Sequence, residues 1–404
     1  MEKDKNNHLT KRALQFIVLM GIVSLFSDMT YEGARSLTGP YLGLLGASAF
    51  VVGLISGLGE FIGYALRLLT GILADRTRNY WLLTFAGYGI NLLAVPLLAL
   101  AGRWELAAGL ILAERIGKAI RKPARDTMVS YAARQVGTGF GFAVEELLDQ
   151  IGAMLGPLFL SLVILLNKNL GPVSSYRRGF AFLLLPALAA LVVLSLSRFK
   201  FPAPQDFETK KEDTQPVHFP RPFWFYLSGA ALLAAGFADF PLIAFHFQKQ
   251  QIFSGATIPL LYTLAMAIDA LSALIFGRLF DRIGLKALMM STLLSAFFAP
   301  FSFLSQQKAL ILVGVSLWGI GLGALESILK AVVAEMIPGG RRGTAYGLFH
   351  SIFGLAWFLG SALMGLLYEK KLLAMVGFSL VAQVAAALIF LFVYKLMLKE
   401  KQPD

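Results

Sequence analysis

Twelve long apolar segments, separated by polar breaks, limit the folds open to this chain more than any other feature of its sequence. About 20 apolar residues in a helix span the hydrocarbon core of a bilayer, whereas a spanning strand needs only about ten residues of alternating polarity. The length and continuity of the segments therefore predict spanning helices and exclude spanning strands. The predicted helices cover residues 13–38, 48–73, 80–101, 106–128, 139–166, 179–198, 223–247, 256–280, 286–305, 309–334, 343–368 and 372–395.

The composition agrees with a membrane protein. Hydrophobic residues make up 57% of the 404 residues and charged residues only 15%, where a soluble protein has roughly 25% charged residues. A soluble enzyme, a disordered chain and a collagen-like fibre are therefore poor interpretations. The chain has no cysteine, which excludes disulfides, thiol catalysis and thiolate metal sites.

Orientation follows from the Lys and Arg residues of the short loops, which are enriched on the cytoplasmic side of a bilayer. With the N-terminus inside, far more of them fall in cytoplasmic loops than in outer loops. We therefore predict a multi-pass protein of the cytoplasmic (inner) membrane with both termini in the cytoplasm. The net charge of +12 is then a topology signal, so we expect no nucleic-acid partner.

A polar, proline-containing segment divides the chain into two halves of six predicted helices each. The predicted organisation is a cytoplasmic tail at 1–12, a six-helix bundle at 13–198, a cytoplasmic linker at 199–222, a second six-helix bundle at 223–395 and a second tail at 396–404.

The two halves carry the same motifs in the same order. Gly71-Ile-Leu-Ala-Asp75-Arg76, after helix 2, recurs as Gly277-Arg-Leu-Phe-Asp281-Arg282, after helix 8, and Phe26-Ser-Asp28 recurs as Phe237-Ala-Asp239. Such repeats imply an internal duplication, and parallel duplicated halves with a site between them describe a known transporter architecture.

These motifs resemble the major facilitator superfamily of secondary transporters, whose signature Gly-x-x-x-Asp-Arg-x-Gly-x-Lys/Arg follows helices 2 and 8. The second copy matches closely, whereas the first lacks the second glycine. The resemblance implies an all-α membrane fold of twelve helices in two pseudo-symmetric bundles. It also implies that the motif residues gate the cytoplasmic side, namely Gly71, Asp75, Arg76, Arg78, Gly277, Asp281, Arg282, Gly284 and Lys286.

Two further segments refine the resemblance. Gly152-Ala-Met-Leu-Gly156-Pro157 in helix 5 looks like the start of a signature of proton antiporters in this superfamily. The segment from Glu114 to Asp126 looks like a block found in a poorly characterised prokaryotic branch. The resemblance does not indicate a substrate.

Many charged residues fall inside the predicted helices, where each one near the bilayer centre costs roughly 2.5–3.5 kcal/mol if it is uncompensated. They must therefore face protein or water, and such residues mark solute and ion routes. We expect the substrate route to be lined by Asp28, Glu32, Arg35, Glu60, Arg115, Asp239 and Glu326. Buried carboxyl groups are candidates for proton coupling, here Asp28, Glu32, Asp239 and Asp269.

Helical spacing indicates which charges pair. Asp28, Glu32 and Arg35 share one face of helix 1, and Glu326 and Lys330 are four residues apart in helix 10. Antiparallel helices 4 and 5 place Lys122 opposite Glu146, Arg121 near Glu145 and Lys118 opposite Asp149. The predicted charge network therefore comprises Lys118, Arg121, Lys122, Glu145, Glu146, Asp149 and Lys330. Both a fixed brace and a switchable network agree with this spacing.

The sequence contains no nucleotide-binding loop, metal-ligand cluster or nucleophile motif, so we expect no cofactor, no metal and no catalytic residue. We predict a monomeric secondary transporter, not an enzyme, whose partners are a small-molecule substrate, protons and the lipid bilayer. Proton-coupled antiport, and hence efflux, is the preferred hypothesis. The alternatives are a symporter or facilitator for an organic anion, contacted by Arg35, Arg115 and Lys118, and a membrane-embedded enzyme.

Overall fold

The structure is a computed structural model that describes residues 2–136, 138–207, 219–337 and 342–400. Within these ranges the chain is helical, with no strand. The helices are α1 (Glu2–Leu44), α2 (Ala49–Thr77), α3 (Tyr80–Leu97), α4 (Trp104–Val136), α5 (Thr138–Leu166), α6 (Pro172–Phe182), α7 (Leu184–Lys200), α8 (Arg221–Gly236), α9 (Phe240–Lys249), α10 (Thr257–Ile283), α11 (Leu285–Ser295), α12 (Lys308–Met336), α13 (Arg342–Lys370) and α14 (Leu372–Glu400).

In the part of the chain that the structure describes, eleven segments are long and apolar enough to cross a membrane, which confirms the predicted all-α membrane fold. The remaining predicted span, 106–128, lies in α4, a continuous helix of 33 residues. Its middle carries Glu114, Arg115 and Lys118, and such charges keep a helix below an apolarity threshold even when it is long enough to span.

The expectation of one unbroken helix over 223–247 is wrong. α8 ends at Gly236 and α9 begins at Phe240, so residues 237–239 are not helical. Pro241 occupies the first turn of α9, where the missing proline N–H is tolerated, whereas the same residue would break a continuous helix.

Contacts group the helices into two compact units. The first unit runs to Leu37 and resumes at Ile62, from where it continues into the linker; the second contains Thr38–Phe61 and the helices from α8 onwards. The ends of α1 and α2 that meet in their connecting loop thus belong to the second unit. The division into two six-helix bundles at the linker remains a prediction.

The beginning of the predicted linker is part of the first unit's core. The rings of Phe16 and Phe201 lie 5.4 Å apart, and a 3₁₀ turn at Pro204–Phe207 follows. The side-chain amide of Gln135 donates a hydrogen bond to the Phe207 carbonyl at 2.7 Å. Residues 208–218 of the linker and 401–404 of the tail lie outside the described residues.

Glycine allows α1 and α5 to touch through their backbones. A Cβ at Gly152 would overlap the carbonyl oxygen of Leu25, and a Cβ at Gly156 would overlap that of Met29. The glycines of the α5 motif therefore bring this helix against the part of α1 that carries Asp28.

Candidate functional site

A cluster of buried charges from α1, α4 and α5 lies inside the first unit. Asp28 and Glu32 of α1 are 4% and 7% exposed. The Asp28 carboxylate forms a hydrogen bond with Tyr31 and lies within electrostatic range of Lys118 and Arg121. Groups at this depth are retained in membrane proteins mainly where they line routes or form relays.

The two cations beside Asp28 rest on tyrosine rings. The Lys118 ammonium lies 3.8 Å from the ring centroid of Tyr31. The Arg121 guanidinium carbon lies 4.2 Å from the ring centroid of Tyr88 and 5.8 Å from that of Tyr31. Cation–π contacts of this kind are strongest away from water, so the rings fix both cations close to Asp28.

One turn further along α4, Arg125 links three helices. Its guanidinium donates to Ser24 of α1 and to Glu145 of α5. Arg125 is 2% exposed, and it also bonds Asp126 at 3.1 Å. A buried guanidinium shared between partners in this way fixes the relative positions of α1, α4 and α5.

A third polar group joins α3 to α4. The side-chain amide of Asn91 donates to the backbone carbonyl of Glu114 at 3.1 Å and to its Oε1 at 2.8 Å. The Nε of Arg115 lies 3.2 Å from Oε2 of the same carboxylate. Glu114 therefore uses both carboxylate oxygens, which holds Arg115 in place.

The predicted pairs of α4 and α5 agree with the structure only in part: Lys122 lies within electrostatic range of Glu146, but the direct ion pairs are different. The partner of Glu145 is Arg125 rather than Arg121, and Lys122 lies 3.8 Å from Asp126 of its own helix. Gln150 donates to exposed Glu146. Asp149 lies within electrostatic range of Asp28.

On α1, Arg35 lies 3.8 Å from Glu32, three residues away, as the helical spacing predicts. Glu60 is half-buried in α2, in the second unit.

In the second unit, Asp239 lies at the interruption between α8 and α9. It is 2% exposed, and the indole N–H of Trp357 donates to its carboxylate at 2.9 Å. The indole N–H of Trp318 donates to the carbonyl of Ala238 at 2.8 Å, and the hydroxyl of Ser379 donates to that of Gly236 at 2.6 Å. Side chains of α12 and α14 thus satisfy two backbone carbonyls where the helix is broken, and a side chain of α13 bonds the Asp239 carboxylate.

The other predicted acids of this unit are placed differently. Asp269 of α10 is 2% exposed, at the contact of α10 with Gly323 of α12. Glu326 is exposed, and the side chain of its predicted partner Lys330 lies outside the described residues. His246 of α9 forms a 2.9 Å hydrogen bond with Tyr368.

The two copies of the loop motif both contain a residue with positive φ at the same motif position. Arg78 and Gly284 both have positive φ, of 51° and 61°. The Arg78 N–H donates to Ala74 O at 2.9 Å, and the Gly284 N–H donates to Phe280 O at 2.7 Å. Arg78 therefore occupies the position of the second motif glycine. The side chain of Asp75 lies outside the described residues; Asp281, Arg282 and Lys286 are exposed.

Comparisons with known proteins identify the family of the chain. Residues 225–404 match the family model of the Major Facilitator Superfamily. An uncharacterised protein of Mycobacterium tuberculosis (strain ATCC 25618 / H37Rv) is 39% identical over 390 residues, which cover 95% of this chain and 94% of that protein. An uncharacterised MFS-type transporter of Methanocaldococcus jannaschii is 26% identical over 378 residues, covering 90% and 91%. The chain belongs to the major facilitator superfamily.

Solved structures of superfamily transporters show the same fold. The crystal structure of the nucleoside transporter NupG matches with a TM-score of 0.73 and 14% identity, covering 94% of this chain and 99% of that one. As a superfamily member the protein is a multi-pass membrane protein and a secondary transporter, which confirms the family and the fold indicated by the loop motifs.

Sequence reasoning missed several residues of the first unit's cluster. Tyr88 and Asn91 lie in the apolar span of α3, where single polar residues carry little signal. Ser24 carries no signal of its own, and Arg125 lies near the predicted cytoplasmic end of its helix, where basic residues are expected for reasons of topology. The signal that indicates the α3 residues is their spacing of three residues, which puts both on the face that meets α4.

Proposed function

We propose that this transporter moves a small solute across the cytoplasmic membrane by alternating access and couples that movement to protons through Asp28. The observation that carries the proposal is the Asp28 carboxylate, which is almost fully buried beside Tyr31, Lys118 and Arg121. Proton uptake by Asp28 removes one negative charge beside two buried cations. Such a change is large enough to bias two conformations of the surrounding helices.

The direction that we propose is antiport, in which protons enter as the solute leaves. The α5 motif supports this direction through its resemblance to proton antiporters, and its glycines lie directly against α1 beside Asp28. Glu32, Asp239 and Asp269 are the further candidates for proton coupling. Substrate contacts are assigned to Asp28, Glu32, Arg35, Glu60, Arg115, Asp239 and Glu326.

The test begins with a substrate. Purified protein in detergent is screened for small solutes that raise its melting temperature, because a ligand that binds the folded state stabilises it by mass action. The protein is then reconstituted in liposomes with a trapped pH dye, and a gradient of the stabilising solute is imposed.

Antiport predicts that the solute gradient drives protons the opposite way and that Asp28→Asn abolishes this flux. Glu105→Gln is the matched control, since Glu105 is an exposed acid at the start of α4. Wild-type flux in Asp28→Asn would remove Asp28 from the coupling, and the same experiment with Asp269→Asn tests the second unit.

A second candidate is a symporter or facilitator for an organic anion. It is favoured by the surroundings of Lys118 and Arg121, which lie over tyrosine rings and form no direct ion pair with a described residue. Donors left in this way suit a carboxylate or phosphate. Protons and an anion moving in the same direction would indicate symport, and anion flux that ignores an imposed pH gradient would indicate a facilitator.

A further inference from the structure

A stripe of polar side chains runs along the buried face of α3. Trp81, Thr84, Tyr88 and Asn91 follow one another at spacings of three, four and three residues, which places them on one face of the helix. All four are buried. Each has one polar atom without a hydrogen-bond partner among the described residues, and these atoms are Trp81 Nε1, Thr84 Oγ1, the Tyr88 hydroxyl and Asn91 Oδ1. At 1.5 Å per residue the stripe is about 15 Å long.

Helix α4 lies against the end of this face that carries Tyr88 and Asn91, and it adds two atoms of the same kind. The Nε atoms of Arg121 and Arg125 are buried and also have no hydrogen-bond partner in the described part of the chain. The two helices touch through their backbones, because a Cβ at Gly117 would overlap the amide nitrogen of Asn91. Unpartnered polar atoms are thus concentrated along one seam.

The seam leads to the Asp28 cluster. The Arg121 guanidinium contacts the ring of Tyr88 on one side and approaches the ring of Tyr31 on the other. Tyr31 in turn forms the hydrogen bond with Asp28. The other end of the stripe, Trp81, lies in the first turn of α3, next to the loop that the predicted topology places in the cytoplasm.

Buried polar groups in folded proteins are almost always satisfied by protein or by ordered water. A buried water forms about three hydrogen bonds with groups that would otherwise lack a partner. We propose that bound water lies beside the unpartnered polar atoms of α3 and α4, between Trp81 and Asn91, and carries protons between the α2–α3 loop and Asp28. Each water molecule or hydroxyl group that accepts a proton on one side releases a proton on the other side. No group along the row of hydrogen bonds therefore gains or loses a proton overall.

This inference deepens the proposed function, because it assigns a route to the proton that Asp28 takes up. Its first test does not depend on transport. Hydroxyl-radical footprinting of the purified protein in detergent modifies buried side chains efficiently only where water is bound beside them. Tyr226 is the matched reference, since it is as buried as Tyr88 but donates its hydroxyl to Leu329 O at 2.7 Å.

We expect Tyr88 to be modified several-fold faster than Tyr226. Equal rates at the two tyrosines would overturn the bound water, and with it the route. Neither result bears on whether Asp28 couples transport, so the two proposals fail separately.

The second test measures proton delivery with variants that keep side-chain shape. Tyr88→Phe and Thr84→Val each remove one hydroxyl, and Tyr226→Phe is the control. After a pH jump, the carbonyl band of protonated Asp28 is followed by infrared spectroscopy and identified by its loss in Asp28→Asn. We expect protonation to slow several-fold in the two α3 variants and to stay unchanged in the control.

Unchanged rates in both α3 variants would overturn the route, even if footprinting detects the water. A carbonyl band that persists in Asp28→Asn would instead contradict the proposed coupling through Asp28.

Discussion

Arg78 and Gly284 hold equivalent backbone positions in the two copies of the loop motif. Both have positive φ, and both N–H groups bond a carbonyl four residues earlier. Glycine adopts this conformation freely, whereas an arginine in the left-handed region is strained. The first copy of the motif therefore keeps a positive φ and the same hydrogen bond, although the residue that favours a positive φ is absent there.

Gly284→Ala is expected to lower the free energy of unfolding by about 1–3 kcal/mol, because its φ of 61° and ψ of −140° suit glycine alone. No atom lies within 4 Å of a Cβ at this position, so the effect would come from the backbone. Gly277→Ala is the control: it is equally open, and inside a helix alanine is favoured by about 0.5–1 kcal/mol. Thermal unfolding in detergent measures both. Equal losses in the two variants would contradict the backbone explanation.

Gly152→Ala tests the close contact of α1 and α5. The new methyl group would meet the backbone of Leu25, which cannot move without shifting the helix, so we expect a loss of about 1–3 kcal/mol. Gly63→Ala serves for comparison because nothing lies within 4 Å of that Cβ. The pair is compared by melting temperature, and a Gly152→Ala protein as stable as Gly63→Ala would show that α1 and α5 are not in backbone contact.

Removing one partner of the buried Arg125–Glu145 pair should strongly lower the free energy of unfolding. Glu145→Leu leaves the buried guanidinium of Arg125 without its buried carboxylate partner, and only the half-exposed Asp126 remains, so we expect a loss of about 3–5 kcal/mol. Replacing both groups, in Arg125→Met with Glu145→Leu, should recover much of that loss. Asp126→Asn is the reference, because its side chain is 39% exposed and a loss below about 1 kcal/mol is expected. A double variant no more stable than Glu145→Leu would argue against a simple pair.

Trp357→Phe removes the indole N–H that Asp239 accepts. A hydrogen bond to a charged group contributes about 1.5–3 kcal/mol, so the melting temperature should fall. Solute transport should fall as well, because Asp239 lies at the α8–α9 interruption. Trp224→Phe is the control, since Trp224 is 51% exposed. Transport that survives in Trp357→Phe would make the bond purely structural.

Most of the fold could be predicted from the sequence, because long apolar segments leave few alternatives to spanning helices. The span in α4 is predicted in spite of its charges, because the segment between the polar breaks is long enough to cross the bilayer. The break before Phe240 was missed although Pro241 provided a signal. Hydropathy cannot distinguish a continuous span from two packed half-helices.

The sequence indicates that Asp28, Lys118 and Arg121 are charged groups within helices, but it does not indicate that α1 and α4 bring them together. Helical spacing indicated that Arg35 meets Glu32, a local relationship. The relative height of α4 and α5 depends on the loop that joins them and on the length of the side chains, and neither is fixed by helical spacing. The observed partner of Glu145 is therefore Arg125, which lies one turn from the predicted Arg121. The division of the acidic residues into those that bind substrate and those that carry protons remains a prediction.

An interruption within a membrane helix is commonly the point at which a transporter bends. At the α8–α9 interruption, however, Trp318, Trp357 and Ser379 bond Ala238, Asp239 and Gly236 from α12, α13 and α14. These bonds hold the residues between α8 and α9 against three neighbouring helices. We therefore expect that α9 does not pivot independently of those helices. Paired spin labels on α9 and α14 should consequently keep one constant separation throughout a transport cycle.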